Sequence, residues 1–281
     1  MKKLNILGLL ILFGTFAAFM SAQSPIKRTT TKTDKFDFGA GGTVAIVGAP
    51  VGSIRVVGSN KNEVEITAEI QLQAATEADL ARLAEVTGFV TDETIARTGI
   101  ISVGTNNKLG DKKLWKKFPK NLLNLPYRID YVVSVPRYCD LEIDGGKGDV
   151  SVTGVEGSLR ANLLETNAKF EVSGGTTAIT VTSGSVDVAF GVRGWRGRSA
   201  TVLVASGDLK VKLPSNLSAE IDAMVLRTGA IENAFPDLKP RDRKVQFSDK
   251  AVLAKAGVGG APMKFTVGDG RLKIERLVLP L

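Results

Sequence analysis

The sequence predicts a mostly β protein, built as a repetitive, single-stranded β-solenoid-like stack with one short helix in its N-terminal half. The first observation is a short phrase that returns along the chain: a glycine, a small or acidic residue, and then alternating apolar positions. It begins at Gly52, Gly148, Gly157, Gly184, Gly207, Gly229 and Gly270. Units of this size cannot bury an apolar face alone, so a phrase repeated in this way indicates copies that stack on one another.

Two further observations support this fold class. Val64 to Leu72 alternates strictly between apolar and polar residues, which is typical of a half-buried strand. Only 6% of the residues are aromatic, which suits a thin stack whose core has little room for rings. An antiparallel sandwich is the alternative fold, because short strands with turns about every 10 residues fit it as well.

Residues 1–22 have the pattern of a secretory signal peptide. Lys2 and Lys3 precede an apolar run, and the small residues Ser21 and Ala22 follow it. This is the order of charge, apolar segment and cleavage site in such peptides. A retained membrane anchor is the alternative, although the run is marginal for the roughly 20 residues that a spanning helix needs.

Residues 23–35 are polar and rich in Thr and Lys, and they predict a flexible linker in front of a single domain that spans 36–281. One helix interrupts the strands of this domain. Thr76 and Asp79 form a capping box at its start, and apolar residues follow at helical spacing. We expect the helix to cover one end or side of the stack and to suppress pairing at its edge.

From Tyr127 onwards almost every segment is a predicted strand. Tyr127-Arg128-Ile129-Asp130 leads to Val135-Pro136, then to Leu141-Glu142-Ile143 and the successive glycine phrases. In these residues the chain resembles the bacterial putative-adhesin family, a domain of unknown function, over roughly residues 36–281. The resemblance implies a β-solenoid-like domain of an envelope or surface protein. It supplies no catalytic or binding residue that could be carried over to this chain.

The chain departs from the family pattern in two places. The copy around Asn167-Ala168-Lys169-Phe170 lacks its glycine, and Gly191 to Ser199 is an insertion. We expect the stacking to be locally irregular at both.

Composition excludes several classes of chemistry. The sequence has one cysteine and no histidine, so it cannot build zinc sites from Cys and His or use His in acid–base catalysis. Cys139 has no partner for an internal disulfide and is predicted to be a structural strand residue. The net charge of +8 falls by two when Lys2 and Lys3 leave with the signal peptide. The remaining basic residues are spread along the chain, which argues against nucleic acid as a partner.

A pair of carboxylates could in principle cleave glycans, as in β-helical enzymes. The candidates are Asp144, Asp149, Asp187, Asp208 and Asp222. Glycoside hydrolysis needs two carboxyl groups about 5–9.5 Å apart. However, Asp149 and Asp208 directly follow turn glycines, where an Asp side chain bonds its own backbone. We therefore predict no catalytic residue, no metal site and no cofactor.

The first candidate contact surface is a lysine-rich segment between residues 106 and 126, which we call the basic loop. Its candidate contact residues are Lys112, Lys113, Trp115, Lys116 and Lys117. Lysines around an apolar cluster can rest on anionic lipid head groups or on acidic polysaccharide. The alternative is a structural loop whose aromatic residues pack on the stack while the lysines stay in water.

The second candidate contact surface is the insertion, where Arg193, Trp195 and Arg196 lie close together in the sequence. An exposed Trp flanked by Arg can hold a sugar ring or an acidic group. The alternative is a turn whose Trp covers an edge of the core.

These observations predict an exported, non-catalytic cell-envelope or surface interaction protein, adhesin-like, located in the periplasm, at the cell surface or outside the cell. Its expected partners are acidic envelope polysaccharide, lipid head groups or another surface protein, and not nucleic acid. One alternative is a periplasmic scaffold or envelope-stress accessory protein. A glycan-active β-solenoid enzyme is the less favoured alternative.

Overall fold

A computed structural model of the protein describes residues 25–39, 41–94, 96–191, 195–242, 244 and 246–278. The predicted signal peptide, residues 1–22, lies outside these ranges. Within them the protein is mostly β, with 62% strand and 7% helix, and its strands form one open, mixed sheet. Among the residues described, no helix has the length and apolar character that crossing a membrane requires.

In chain order, the elements of the described ranges are β1 (Ile26–Asp37), β2 (Thr43–Val47), β3 (Ile54–Ser59), β4 (Glu63–Ala74), α1 (Glu77–Val86), β5 (Gly88–Glu93), β6 (Arg97–Val103), α2 (Lys112–Lys116), a short 3-10 helix (Lys120–Leu122), β7 (Tyr127–Pro136), β8 (Asp140–Lys147), β9 (Val150–Thr153), β10 (Leu159–Val172), β11 (Thr176–Phe190), β12 (Ser199–Leu213), β13 (Ala219–Val225), β14 (Gly229–Ala234), β15 (Lys239–Pro240), β16 (Ala251–Ala256) and β17 (Ala261–Arg276).

The centre of the sheet is a series of parallel strands in continuous register. Leu159 of β10 lies opposite Leu141 of β8 and Thr177 of β11, so equivalent residues are 18 positions apart. From β11 to β12 the offset grows to 23, because Thr177 lies opposite Ala200. The extra residues fall between the two strands, in the segment that the sequence predicts to be an insertion. This parallel pairing is not the antiparallel arrangement that the alternative sandwich fold requires.

A glycine near the middle of β11, β12 and β17 lets both halves of each strand face the same core. In β11, Ile179 and Val181 are buried before Gly184, and Val186 and Val188 are buried after it. The alternation therefore changes phase across the glycine, whose φ is +122°. Residues with a side chain rarely adopt this backbone conformation, which explains why the phrase begins with glycine.

We call the mid-strand position at which the alternation changes phase the corner. Corners of neighbouring strands lie opposite one another. Gly184 lies opposite Gly207, and Gly270 lies opposite Gly229. A Cβ atom on Gly207 would lie 1.8 Å from the carbonyl oxygen of Gly184, and one on Gly270 would lie 1.8 Å from that of Gly207. Each carbonyl group thus fills the space that a side chain would need. In β10, Thr166 takes this position opposite Gly184, and the register continues across it.

The last strand of the described residues, β17, lies inside the sheet and not at its edge. Phe265 of β17 lies opposite Val202 of β12 on one side and Ala223 of β13 on the other. In the second half of the strand, β17 likewise lies between β12 and β14. The strand order is therefore β12, β17, then β13 and β14, and the C-terminal part of the sheet is continuous only when β17 is in place.

The linker prediction is wrong for most of its length. Residues 23–35 are predicted to be flexible, but Ile26–Asp37 forms β1, which pairs antiparallel with β4 along twelve residues. β1 is mostly exposed, so a polar sequence can still form a strand there, and its β-branched Thr residues favour extended backbone. Lys32 fixes the strand further, since its amino group donates to the carbonyl oxygen of Phe89 at 2.7 Å.

The predicted helix is confirmed as α1. The described residues contain a second helix, α2, so the prediction of a single helix is wrong. In α1 the Thr76 hydroxyl accepts the backbone N–H of Asp79 at 3.1 Å, as the capping box predicts. α2 is five residues long, and the Asp111 carboxylate caps it by accepting the backbone N–H of Lys113 at 2.8 Å. So short a helix leaves no apolar periodicity in the sequence.

Cys139 is fully buried in the core. Burial, reinforced by the neighbouring Asp140 carboxylate, raises the pKa of its thiol to about 12. The thiol is therefore protonated at neutral pH. Cys139 lies directly before β8, so the prediction that it is a strand residue is wrong, because the strand begins one residue later at Asp140.

Asp130 of β7 bonds to Ser53, the residue directly before β3, and so connects two neighbouring strands. Its Oδ1 atom accepts the backbone N–H and the hydroxyl of Ser53 at 2.7 and 2.6 Å. Arg128 donates to both carboxylate oxygens, at 2.6 and 2.8 Å. Burial raises the pKa of Asp130, but the bonds from Arg128 and Ser53 outweigh it and hold the pKa below its ordinary value.

We predict that Gly207→Ala lowers the free energy of unfolding by about 3–5 kcal/mol, because the new Cβ meets a backbone carbonyl in a left-handed conformation. Chemical denaturation measures the effect. Gly110→Ala is the matched control, since its φ is also positive, at +92°, but no atom lies within 4 Å of the added Cβ. There we expect a loss of about 1 kcal/mol. Equal, small losses at both positions would contradict the role assigned to the stacked corner.

We predict that Asp130→Asn lowers the free energy of unfolding by about 2 kcal/mol at pH 7, because it removes the charge that Arg128 and Ser53 bind. A carboxyl group with a depressed folded-state pKa stabilises the fold above its unfolded-state pKa, and this is lost as pH falls through the folded-state value. The difference between the two proteins should therefore shrink below about pH 4. Denaturation curves at pH 7, 5 and 3 measure it, and a constant difference would contradict the electrostatic explanation.

Candidate functional site

An open groove crosses the outer face of the sheet in the strand halves that follow the corner glycines. Its volume is about 730 Å³, and in spatial order it crosses β10, β11, β12, β17 and β14. Neighbouring strands lie about 4.8 Å apart, so five strands span roughly 19 Å. We call this feature the outer groove.

Two rows of outward-facing side chains line the outer groove, because alternate residues of each strand point away from the core. The first row directly follows the corner positions and consists of Asn167, Ser185, Asp208, Arg271 and Ala230. The second row lies two residues further along each strand and consists of Lys169, Asp187, Lys210, Lys273 and Glu232.

Hydrogen bonds between strands run along the first row. The hydroxyl of Ser185 donates to Oδ1 of Asn167 at 2.7 Å, and the amide of Asn167 donates to Asp149 at 3.3 Å. Further along, the backbone N–H of Arg271 donates to the Asp208 carboxylate at 3.1 Å. Asp149 and Asp208 thus bond to the neighbouring strand. The prediction that they bond their own backbone is wrong, because a partner strand in register offers a nearer donor.

Each acidic side chain of the outer groove has a partner. Besides Asp208, these are Asp187, which pairs with Lys212 at 2.7 Å, and Glu232, which pairs with Lys273 at 2.8 Å. The charges of Asp187 and Glu232 are therefore offset by lysines, whereas Asp208 accepts only a neutral backbone N–H group.

Three cationic side chains of the outer groove form no ion pair with any residue that the structure describes. They are Lys169, Lys210 and Arg271, and all three are exposed. Lys169 and Lys210 lie opposite Asp187 on either side, but Asp187 pairs with Lys212. The outer groove therefore carries positive charge that the protein itself leaves unpaired.

The remaining predicted carboxylates also accept hydrogen bonds outside the outer groove. Asp144 accepts from the amide of Asn162 at 2.8 Å, and Asp222 pairs with Arg241. Both therefore connect neighbouring elements of the sheet.

In the basic loop the aromatic side chains pack inward and the lysines face water. Trp115 is half-buried, contacts Phe118 edge-on at 5.1 Å between ring centroids, and donates its indole N–H to the carbonyl oxygen of Leu109 at 2.8 Å. Phe118 in turn packs against the core. The four predicted lysines, Lys112, Lys113, Lys116 and Lys117, are all exposed. This packing matches the alternative in which the loop is structural and its aromatic residues face the core. Its lysines nevertheless remain accessible to a partner.

Trp195 lies against an edge of the core. Its ring meets Phe190 edge-on, with 5.3 Å between centroids, and a Cβ atom on Gly197 would collide with the indole ring at 2.1 Å. Arg196 is exposed, and its backbone N–H donates to Ser173 at 2.8 Å. Arg193 lies outside the described residues. This geometry matches the alternative that the sequence left open, in which Trp195 covers the core.

None of the contact residues predicted from the sequence lines the outer groove. The sequence does contain a signal for it, because the charged residues of the second row occupy equivalent positions in successive phrases. The sequence does not show which charged residues of the second row are neighbours in space. Lys273 and Glu232, for example, adjoin only because β17 lies beside β14.

We predict that Trp195→Ala lowers the free energy of unfolding by about 2–3 kcal/mol, because a partly buried aromatic contact with the core is lost. Arg196→Ala, the neighbouring control, should change it by less than about 0.5 kcal/mol. Thermal or chemical denaturation measures both, and glycan binding is measured on the same samples. Unchanged stability together with lost glycan binding would make Trp195 a ligand platform instead.

No protein-family model matches the chain, and no curated protein sequence matches it. Several solved structures are similar to it. One, named a putative cell adhesion protein of Clostridium sporogenes, has a TM-score of 0.43 and 12% identity, over 89% of this chain and 100% of that one. A putative adhesin of Parabacteroides merdae has a TM-score of 0.28 and 11% identity, over 87% and 95%. A putative lipid binding protein of Parabacteroides distasonis has a TM-score of 0.31 and 11% identity, over 88% and 97%. With TM-scores below 0.5, these likenesses carry no argument about function.

Proposed function

We propose that this chain is an exported, non-catalytic interaction protein of the cell envelope or cell surface, adhesin-like, which binds through an outer face of a β-solenoid-like stack. The observation that carries the proposal is the outer groove, which is open, extends over five strands and carries two outward rows of mostly polar and charged side chains. A site for a small molecule encloses most of its ligand in a mainly apolar pocket. A shallow charged groove suits an extended partner better.

The finer features of the proposal have separate support. Export is supported by the charged, apolar and small-residue order of residues 1–22. The solenoid-like architecture is supported by the constant register from β8 through β12 and by the stacked corner glycines. Parallel strands that present equivalent residues at every step form a regular surface, which is the kind of surface that solenoid proteins use for binding.

The hydrogen bonds that the groove carboxylates already accept favour a binding role over catalysis. Asp187 and Asp208 lie on neighbouring strands of the outer groove, at a diagonal separation of about 7–8 Å between Cα atoms, which would fit a glycan-active enzyme. However, Asp187 accepts from Lys212 and Asp208 accepts from Arg271, whereas a general acid has to donate a proton. Reducing ends released from envelope polysaccharide, and lost in Asp187→Asn, would favour the enzyme.

Three kinds of partner fit the proposal: acidic envelope polysaccharide, lipid head groups, or another surface protein. The basic loop offers four exposed lysines to any of them. A periplasmic scaffold or envelope-stress accessory protein is the alternative, and it differs from the adhesin-like function only in where the protein resides.

Protease accessibility tests the location. We expect the protein to be cleaved on intact cells if it is at the surface, and only after permeabilisation of the outer envelope if it is the periplasmic scaffold. A cytoplasmic protein probed in the same samples is the control and should be cleaved only after complete lysis. Cleavage of this protein only together with the cytoplasmic control would contradict export.

A further inference from the structure

The unpaired positive charge of the outer groove is arranged along the direction in which the strands stack. Lys169 lies on β10 and Lys210 lies on β12, two strands apart, which corresponds to about 10 Å. Arg271 lies on β17, one strand beyond β12, which adds about 5 Å. The cations thus lie in both rows of the outer groove, at intervals of about 10 and 5 Å along the stacking direction, and two of its three acidic side chains already pair with a lysine.

We propose that the outer groove binds a linear acidic polysaccharide, whose carboxylate or sulfate groups pair with Lys169, Lys210 and Arg271. The proposal rests on the proposed interaction function and names the class of its partner. A chain of sugars with an anionic group on successive or alternate rings presents charges at regular intervals along a line. A single small anion could not pair with all three cations, because Lys169 and Arg271 lie about 15 Å apart along the stacking direction.

The side chains between the cations suit sugar hydroxyl groups. Asn167 and Ser185 are exposed at the groove and carry an amide and a hydroxyl group. Both groups can bond a sugar in addition to the bonds they form with each other, because an amide oxygen and a hydroxyl oxygen each have two lone pairs. The three cations would give affinity, and Asn167 and Ser185 would orient the sugar rings.

Other classes of macromolecule fit the outer groove less well. Ala230 is the one apolar member of the two rows, and the larger apolar lining residues, Val186, Leu209 and Ile231, pack in or against the core. The two outward rows therefore present no large apolar or aromatic anchor of the kind that dominates protein interfaces. Insertion into a lipid surface needs such residues as well. Single-stranded nucleic acid is bound by stacking its bases on aromatic rings, and neither row contains one.

Binding of defined polymers to the purified protein tests the proposal. Polygalacturonate and sulfated dextran supply the two anionic groups, neutral dextran is the uncharged control, and single-stranded DNA is the non-glycan polyanion. We expect binding of one or both acidic glycans, weakened by salt, and no binding of neutral dextran. The triple variant K169Q/K210Q/R271Q should bind the same polymer roughly tenfold more weakly, because three exposed ion pairs are lost.

The matched control is R160Q/K255Q/K264Q, which removes the same charge from exposed residues outside the outer groove. Arg160 and Lys264 lie in the strand halves before the corner, and Lys255 lies on β16. It should bind within twofold of the unmodified protein. Thermal denaturation checks that both variants are folded. Equal weakening in both variants would show that net charge, and not the outer groove, determines binding, and would overturn the proposal.

A third variant, K112Q/K113Q/K116Q/K117Q, separates the outer groove from the basic loop. If this variant loses binding while the groove variant retains it, the groove proposal fails and the proposed interaction function stands. Tighter binding of DNA than of either glycan, lost in the groove variant, would overturn the class of partner. Absence of binding to any polymer would overturn the groove proposal, whereas failure of the proposed function is recognised independently by the protease experiment.

Discussion

The close approach of backbones at the stacked corner is the constraint on which the rest of the structure depends. Where the carbonyl group of Gly184 occupies the space of a Cβ atom on Gly207, a side chain can be accommodated only if the strands move apart. The corner also changes the phase of alternation, so that both halves of one strand bury their apolar residues in one core. A shift of register by one residue would move a side chain into the corner and invert the faces of both halves. The corner glycines and the buried apolar residues therefore specify the same register between neighbouring strands.

The surface of the molecule follows from that alignment. Because corners are in register, the residues one and three positions after them face outward beside their equivalents on the next strand. The first of these positions joins strands through side-chain hydrogen bonds, as between Ser185 and Asn167. The second is free to carry charge, as in Lys169 and Lys210. The phrase in the sequence thus has a structural position, the glycine, and two surface positions that lie beside their equivalents on the next strand.

Local patterns in the sequence predicted local features correctly. The phrase located the corners, and Thr76 with Asp79 located the start of α1. The linker prediction failed because β1 is an exposed edge strand, and its polar sequence has no alternation from which a strand could be recognised. The position of β17 could not be predicted, because neighbouring phrases carry no information about which strand lies between which. The outer groove was missed for the same reason, since it combines residues from β10 to β17 whose order in space differs from their order in the chain.

The position of β17 also connects completion of the fold with formation of the outer groove. Arg271 and Lys273 both belong to this strand, and it separates Lys210 on β12 from Glu232 on β14. Without β17, the two rows of the outer groove would end at β12, and Glu232 would lose its partner Lys273. β17 is the final strand of the described chain, and it pairs with β12 on one side and with β13 and β14 on the other. The two rows of the outer groove are therefore complete only in the folded protein, so a partner that binds across them stabilises the folded protein by mass action.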